Sequence, residues 1–194
     1  MIIRSQAYEL LISKLHNQNL VRHCLSVEAV MKSLARHFQA DEAKWGIVGL
    51  LHDGDYEISK DHPAEHTLLM AQWLRDLGET DPEIHSAILS HNYAHLPADR
   101  QAQAHSPTNK LEWSLYCCDE LTGLIVACAL VQPTKKLADV SVESVLKKWD
   151  SKSFAAGVHR DQIIICEEKL GLKLSDFINI ALTSMQGIAS EIGL

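Results

Sequence analysis

Residues 111–131, LEWSLYCCDELTGLIVACALV, form a segment that is apolar on nearly every face of a helix. The segment contains no proline and a single glycine, and it is much longer than a strand, so its pattern indicates one long helix. A helix that is apolar all round is buried in a protein core or in a membrane. Its continuous apolar run, Leu121 to Val131, has about half of the ~20 residues that a membrane span needs. The segment therefore predicts a buried helix at the centre of a globular fold.

The rest of the chain also carries apolar residues at helical spacing, and no segment alternates polar and apolar residues between turn signals. We therefore predict an all-α fold. The segment 94–108 contains Pro97 and Pro107 and lacks helical periodicity, so we predict a loop or lid over the site. The predicted helices lie near 4–16, 21–38, 41–53, 63–77, 81–92, 108–131, 141–149, 159–170 and 175–191.

The composition fits one soluble domain. The 194 residues are 46% hydrophobic, which is enough for one sizeable core, and no low-complexity tract divides them. The 18 Lys and Arg residues against 25 Asp and Glu residues give a formal charge of −7, which argues against nucleic acid as a partner. The five cysteines form no CxxC pair, and the first residues lack a signal-peptide pattern. We therefore expect a cytoplasmic protein without a membrane segment.

The stretch LLHDGD, residues 50–55, places a histidine and an aspartate directly at the end of an apolar helix. Gly54 marks the point where this helix should end. Taken alone, His52 and Asp53 fit a favourable histidine at a helix C-terminus followed by a solvated aspartate. Metal ligation is the alternative interpretation. It depends on which other polar side chains point toward the core.

Two further polar residues lie in apolar surroundings. His23 shares a helix face with Val27 and Leu34, so its imidazole should point toward the core. Asp119 lies inside the apolar helix, where an unpaired carboxylate costs several kcal/mol. A satisfied core histidine and a buried salt bridge would explain the two residues singly, whereas a bound cation would explain both. If Asp119 has no partner without the cation, changing it to Asn should stabilise the metal-free protein.

The order of these residues resembles the signature of the HD-domain metal-dependent phosphohydrolases, which has a histidine, a helix-terminal His-Asp pair and a distant aspartate. In this chain they are His23, His52, Asp53 and Asp119. The resemblance covers roughly residues 20–130, a five-helix core, and leaves 131–194 as a helical extension of one domain, 1–194. It implies one or two divalent metal ions, with Fe, Mn, Co, Ni or Zn as candidates and Mg as a further option.

A second metal would need more ligands, and the resemblance implies two histidines for it. His66 and His91 point inward by helical periodicity and match positions that dinuclear family members use. Packed or surface histidines are the alternative, and His62 could replace His66 as the ligand. The other histidines lack an inward pattern, although His95 could touch the substrate. With two metals Asp53 is the natural bridging ligand, and we assign catalytic roles to Asp53, His66 and His91.

The resemblance implies hydrolysis of a phosphate ester by metal-activated water, with a small phosphorylated, nucleotide-like substrate. Two alternatives stay open, a diiron HD-type oxygenase and a non-catalytic metal- or nucleotide-binding sensor. The hydroxyl of Thr122, one turn from Asp119, should form a hydrogen bond with the groups around the metal, with the substrate or with a carbonyl of its own helix. One or two downstream cations could bind phosphate, or all of them could form a solvated face: Lys135, Lys136, Lys147, Lys148, Lys152 and Arg160.

Overall fold

The computed structural model describes residues 2–96 and 105–194, and within these ranges it contains helices and no strand. The prediction of an all-α fold is confirmed. Short 3-10 turns lie at Pro63–Glu65 and Leu137–Asp139, and a π-helical turn lies at Cys166–Leu170. The α-helices are α1 (Arg4–Lys14), α2 (Gln18–Phe38), α3 (Glu42–Leu51), α4 (Tyr56–Ser59), α5 (Leu68–Asp76), α6 (Pro82–His95), α7 (Lys110–Leu130), α8 (Val142–Trp149), α9 (Arg160–Ile165), α10 (Leu174–Gly187) and α11 (Ala189–Ile192).

Helix α7 is the predicted apolar helix, and it packs against α2, α6 and α9. Asn109 caps it by accepting a hydrogen bond from the backbone N–H of Glu112. By length and composition α7 could cross a membrane, but most of it is buried inside the fold. Leu115, Leu121 and Ile125 are fully buried. Such burial is typical of the core helix of a globular domain.

Helices α2 and α3 pack closely against each other. A Cβ atom at Gly49 of α3 would lie 2.9 Å from the carbonyl oxygen of Val27 in α2. Because real Cβ atoms do not approach backbone so closely, only glycine permits this contact. The close packing places the C-terminal end of α3, where His52 lies, beside His23 of α2.

The predicted helix over 63–77 is broken in the structure. Pro63–Glu65 forms a 3-10 turn, and α5 begins only at Leu68. Thr67 lies between them with a φ of 70°, a conformation that is rare for a β-branched residue. Apolar spacing continues through the break in the sequence, so periodicity alone predicted one helix. His66, next to Thr67, is buried at this break.

Other boundaries differ by less. Helix α6 extends to His95, beyond the predicted end at 92, and residues 97–104 of the predicted loop 94–108 lie outside the described residues. The predicted helix 159–170 is α9 followed by the π-helical turn, and 175–191 is divided into α10 and α11. The short α4 directly after LLHDGD was not predicted. These differences lie at or beyond helix ends, where local signals are weakest.

The C-terminal helices share one hydrophobic core with the rest of the protein. Helix α10 packs against α2, and α9 packs against α7. Phe177, Ile178 and Met185 of α10 are fully buried, in the same cluster as residues of α2, α3 and α7. The region beyond residue 130 therefore supports the helices that carry the predicted ligands.

Candidate metal centre

Three helices bring the first group of predicted ligands together. His23 lies on α2, His52 directly follows α3, and Asp119 lies near the middle of α7. Nε2 of His23 is 2.8 Å from Oδ1 of Asp119 and 3.2 Å from Nε2 of His52. Nε2 of His52 is 3.5 Å from the same Asp119 oxygen. We call these three residues the first cluster, since their ligand atoms all lie within 4.8 Å of one another and could hold a metal ion.

Asp53, His66, His91 and His95 form a second cluster, whose ligand atoms also lie within 4.8 Å of one another. Oδ1 of Asp53 is 3.2 Å from Nε2 of His66 and 3.2 Å from Nε2 of His91. Nε2 of His95 is 2.9 Å from Nε2 of His91, one turn earlier on α6. The structure thus brings the predicted His66 and His91 together around Asp53, and it adds His95 to them.

Asp53 lies between the two clusters. While its Oδ1 atom faces His66 and His91, its Oδ2 atom is 3.7 Å from Nε2 of His23 and 3.7 Å from Nε2 of His52. Each carboxylate oxygen therefore faces a different set of histidines. This is the arrangement that a carboxylate needs in order to bridge two cations.

In two histidines of the first cluster, a contact at Nδ1, which points away from the cluster, fixes the orientation of the ring. Nδ1 of His52 lies 2.8 Å from the carbonyl oxygen of Gly49, which can only accept, so Nδ1 carries the proton. The Thr122 hydroxyl donates to the carbonyl of Asp119 at 2.8 Å, and Nδ1 of His23 lies 3.3 Å from that hydroxyl oxygen. Thr122 thus combines two of the predicted roles. Such outer contacts leave Nε2 of each ring as the ligand atom.

Asp55 fixes the orientation of a histidine ring in the second cluster, a role that was not predicted from the sequence. Its Oδ1 atom lies 2.8 Å from Nδ1 of His66, and its Oδ2 atom accepts the backbone N–H of Met70 at 3.1 Å. Asp55 is fully buried. The signal was present in LLHDGD, which places a second aspartate two residues after Asp53.

In the metal-free protein, carboxylates draw protons onto two of the histidines. Burial disfavours a charged imidazole, but the hydrogen bond with Asp119 and the charges of Asp119 and Asp53 raise the pKa of His23 to about 9. Burial also opposes charge on His66, yet hydrogen bonds with Asp53 and Asp55 raise the pKa of His66 to about 9. These two protons supply positive charge between the carboxylates.

The two carboxylates stay ionised despite their burial. Burial alone would raise the pKa of Asp119, but hydrogen bonds from His23 and His52 hold this pKa well below its usual value. Burial of Asp53 is likewise outweighed by the charge of His52 and by hydrogen bonds from His66 and His91, which hold its pKa well below normal. Asp119 therefore has a partner without any metal. The expectation that Asp119→Asn would stabilise the metal-free protein loses its physical basis.

Two histidines of the second cluster are neutral. Burial lowers the pKa of His91 below its usual value, and the charge of His52 acts in the same direction. Burial lowers the pKa of His95 to about 3. A neutral imidazole is the form that ligates a metal. These two side chains need to lose no proton in order to bind one.

The residues present fit divalent metal ions. Nε2 of His66 is buried 3.2 Å from Oδ1 of Asp53, and no hydrogen bond to any other group is found for it among residues 2–96 and 105–194. A buried imidazole nitrogen held beside an ionised carboxylate fits a position that a cation completes. The mixed imidazole and carboxylate donors suit borderline ions such as Fe, Mn, Co, Ni or Zn.

The fold and the two clusters define an all-helical protein with a mixed histidine and carboxylate centre. The model of the HD domain matches residues 20–130, and this chain belongs to the HD-domain family. The family consists in general of metal-dependent hydrolases, and HD domains bind divalent metals. The matched region includes every residue of both clusters and ends with α7. No curated protein and no solved structure matches the chain.

The structure also shows the surroundings of three residues whose roles the sequence left open. His95 was given no ligand role, but it belongs to the second cluster, and its i+4 spacing from His91 was the available signal. His62, the alternative to His66, is exposed and belongs to neither cluster. Arg160 was a candidate for phosphate binding, but its guanidinium donates to the backbone carbonyls of Trp149, Ser151, Phe154, Ala155 and Val158. That guanidinium organises the turn before α9.

Proposed function

We propose that this protein is a metal-dependent phosphohydrolase that cleaves the phosphate ester of a small, nucleotide-like metabolite. The observation that carries the proposal is the position of Asp53, which directs one oxygen to each cluster. Adjacent two-cation sites are typical of enzymes that displace an ester oxygen from phosphorus. Membership of a family that consists in general of metal-dependent hydrolases supports the same class of reaction.

The two clusters divide the ligands between two cations. The first would be held by His23, His52, Asp119 and Oδ2 of Asp53, and the second by Oδ1 of Asp53 with His66, His91 and His95. Divalent cations in such sites supply positive charge for the phosphoryl oxygens and acidify water near neutral pH.

The protein's own groups orient these ligands and exclude bulk water from them. His52 and His91 have fully buried side chains, and the side chain of Asp53 is 9% exposed. The first cluster opens to solvent mainly at His23, whose side chain is 24% exposed. Because Gly49 and Asp55 already fix the rings of His52 and His66, little reorganisation is needed when the site is filled. The substrate phosphate should enter from the His23 side.

The test is a panel of phosphomonoesters and phosphodiesters, assayed for phosphate release after single metals are added to the metal-free protein. We expect metal-dependent release, with metal content rising in parallel. Asp53→Ala should lose both the phosphate release and the bound metal, and Asp119→Asn should bind metal at least tenfold more weakly, about 1.4 kcal/mol. The matched control is His62→Ala, which changes an exposed histidine outside both clusters and should keep the phosphate release and the metal content.

Three results would contradict the proposal. Full metal content in both Asp53→Ala and Asp119→Asn would show that the clusters are not the metal site. Tight binding of metal and nucleotide without any product would indicate a sensor. Product formation that requires O₂ would indicate an oxygenase instead of a hydrolase.

A further inference from the structure

A cavity of about 430 Å³ lies beside the first cluster, between α2, α7 and the segment from Ile192 to Leu194. His23 and Thr122 line it, and both also take part in the contacts of the first cluster. Its volume falls within the range of small-molecule sites, roughly 300–1,000 Å³. The cavity is therefore continuous with the side of the metal centre that is open to solvent.

The walls of the cavity combine an apolar surface with a few polar groups. Val126, Leu130 and Ile192 supply apolar side chains, while Asn19 and Arg22 of α2 supply polar ones. A mostly apolar pocket with a few placed polar groups is the usual composition of a site for an organic molecule. An inorganic anion alone would not need such apolar walls.

Arg22 differs from the other arginines that the structure describes. Among residues 2–96 and 105–194, Arg4, Arg36, Arg75 and Arg160 each donate a hydrogen bond to another protein group. The Arg22 side chain is exposed, and within the same ranges its guanidinium has no protein acceptor. The planar guanidinium donates readily to paired acceptor atoms, so it is available to a ligand in the cavity.

Gly193 makes room for this guanidinium. A Cβ atom at Gly193 would lie 3.3 Å from both Cζ and Nη2 of Arg22, and the glycine has a φ of 77°, which favours glycine. The end of the C-terminal helices thus forms one wall of the cavity and seats Arg22 against it. Residues 192–194 lie well outside the region that the HD domain model matches.

We propose that this cavity holds the organic part of the phosphorylated substrate and that Arg22 is a specificity-determining residue. The inference rests on the proposed phosphohydrolase function, with the ester phosphate at the first cluster. A matching organic part presents an apolar face to Val126 and Leu130 and hydrogen-bond acceptors along one edge to Arg22, and a nucleobase has both properties. The C-terminal segment then contributes to substrate choice, although it carries no metal ligand.

The experiment measures binding to the metal-loaded protein by calorimetry and thermal shift, with inorganic phosphate, ribose 5-phosphate and nucleoside 5′-monophosphates as probes. We expect the wild type to bind at least one nucleotide about tenfold more tightly than ribose 5-phosphate, as one charged hydrogen bond would provide. Arg22→Gln and the cavity-filling Val126→Trp should both remove this difference and leave the affinity for inorganic phosphate unchanged. Arg36→Gln is the matched control, because Arg36 lies on the same helix but contacts Glu42 and Ser33.

The outcomes separate this inference from the function on which it rests. If phosphate esters are hydrolysed but nucleotides bind no better than ribose 5-phosphate, the function stands and the cavity proposal is wrong. If Arg22→Gln lowers the affinity for inorganic phosphate as much as the affinity for the nucleotide, Arg22 binds the phosphate itself, and the cavity proposal is overturned. If no probe binds and no ester is cleaved, both proposals fail together.

Discussion

Asp55 shows how one buried carboxylate outside the set of ligands can control a metal site. One carboxylate oxygen of Asp55 accepts a hydrogen bond from Nδ1–H of His66, and the other accepts one from the backbone N–H of Met70. When the ring is neutral, as a metal ligand must be, the first contact keeps the proton on Nδ1 and leaves Nε2 of His66 free. The second contact anchors the Asp55 carboxylate to the start of α5, which keeps its other oxygen in place beside Nδ1 of His66.

We predict that Asp55→Asn weakens metal binding at the second cluster by roughly 10–100-fold, as losses of such outer contacts usually do. The Asn oxygen can still accept from Met70, but its NH₂ group then faces Nδ1 of His66. Nδ1 must become the acceptor, so the proton moves to Nε2, where it blocks ligation. Competitive titration with a chromophoric chelator should show one strong and one weakened metal ion.

The control for this change is Asp76→Asn, which alters an exposed carboxylate that accepts a hydrogen bond from Gln72. Both ions should then bind as in the wild type. Equal loss of both ions in Asp55→Asn, or of neither, would contradict a role in orienting His66 alone.

The protonated histidines make the metal-free protein sensitive to pH. The pKa values of His23 and His66 are raised to about 9, above the unfolded value near 6.5. Stability that these protons provide is complete below about pH 6.5 and is lost as pH rises through about 9. His91 and His95, whose pKa values are lowered, oppose this trend near pH 6.5, but their effect fades once the unfolded histidines are also neutral. We therefore predict that the metal-free protein melts at progressively lower temperature between about pH 7 and pH 8, where the cysteines of the unfolded chain are still mostly protonated.

Calorimetry of the metal-free protein tests this pH dependence, with the metal-loaded protein and the His23→Gln variant alongside. Since a metal replaces the protons, the loaded protein should show a weaker slope, and His23→Gln should reduce the slope of the metal-free protein. His62→Gln should leave the slope unchanged, because His62 is exposed and outside both clusters. A melting temperature that rises with pH over this range would refute the assignment of these protons.

At the scale of the helices, the close contact between α2 and α3 sets the geometry of the first cluster. A Cβ atom at Gly49 would lie 2.9 Å from the carbonyl oxygen of Val27 and 3.0 Å from the Cα atom of Glu28. Both are backbone atoms, so a side chain can be accommodated only by moving one helix. That movement would also displace His52 from His23.

We predict that Gly49→Ala destabilises the protein by about 1–3 kcal/mol, the usual cost of overpacking a core. Metal affinity at the first cluster should fall with it, because the carbonyl of Gly49 holds the ring of His52. Urea unfolding and metal titration provide the two measurements. The control is Gly187→Ala in the last turn of α10, where a Cβ atom would meet nothing within 4 Å. If both alanine variants unfold at the same urea concentration, the helix contact is not tight.

Over the whole molecule, one hydrophobic core joins the matched HD region to the C-terminal helices. Phe177 of α10 is fully buried, whereas Ile164 of α9 is 38% exposed. We predict that Phe177→Ala costs about 3–5 kcal/mol, although Phe177 lies beyond residue 130. Ile164→Ala, the matched control, should cost about 1 kcal/mol or less.

Denaturant unfolding, followed by both helical signal and bound metal, checks the effect of Phe177→Ala. If the core is shared, both signals should disappear in a single transition at a lower denaturant concentration. If part of the helical signal is lost first and the metal is released at the same denaturant concentration as in the wild type, residues beyond 130 form a separate unit.

From the amino-acid sequence alone we could predict the helical class, the central buried helix and the inward position of most candidate ligands. These properties follow from the 3.6-residue period of the helix, which is local and fixes which face of each helix meets the core. His23 and Asp119 carry polar groups on such faces, and for that reason they could be identified without a structure. The HD-domain family, predicted from the same residues, is confirmed.

How these helix faces meet is visible only in the folded protein. Periodicity cannot tell which nitrogen of His66 is free, because that depends on Asp55, eleven residues earlier. It also could not show the break before α5, since the apolar spacing continues through it. The cavity beside His23 is lined in part by Leu194, which lies far from His23 in the sequence. Contacts between residues so far apart in sequence depend on how helices pack, and no local pattern encodes that packing.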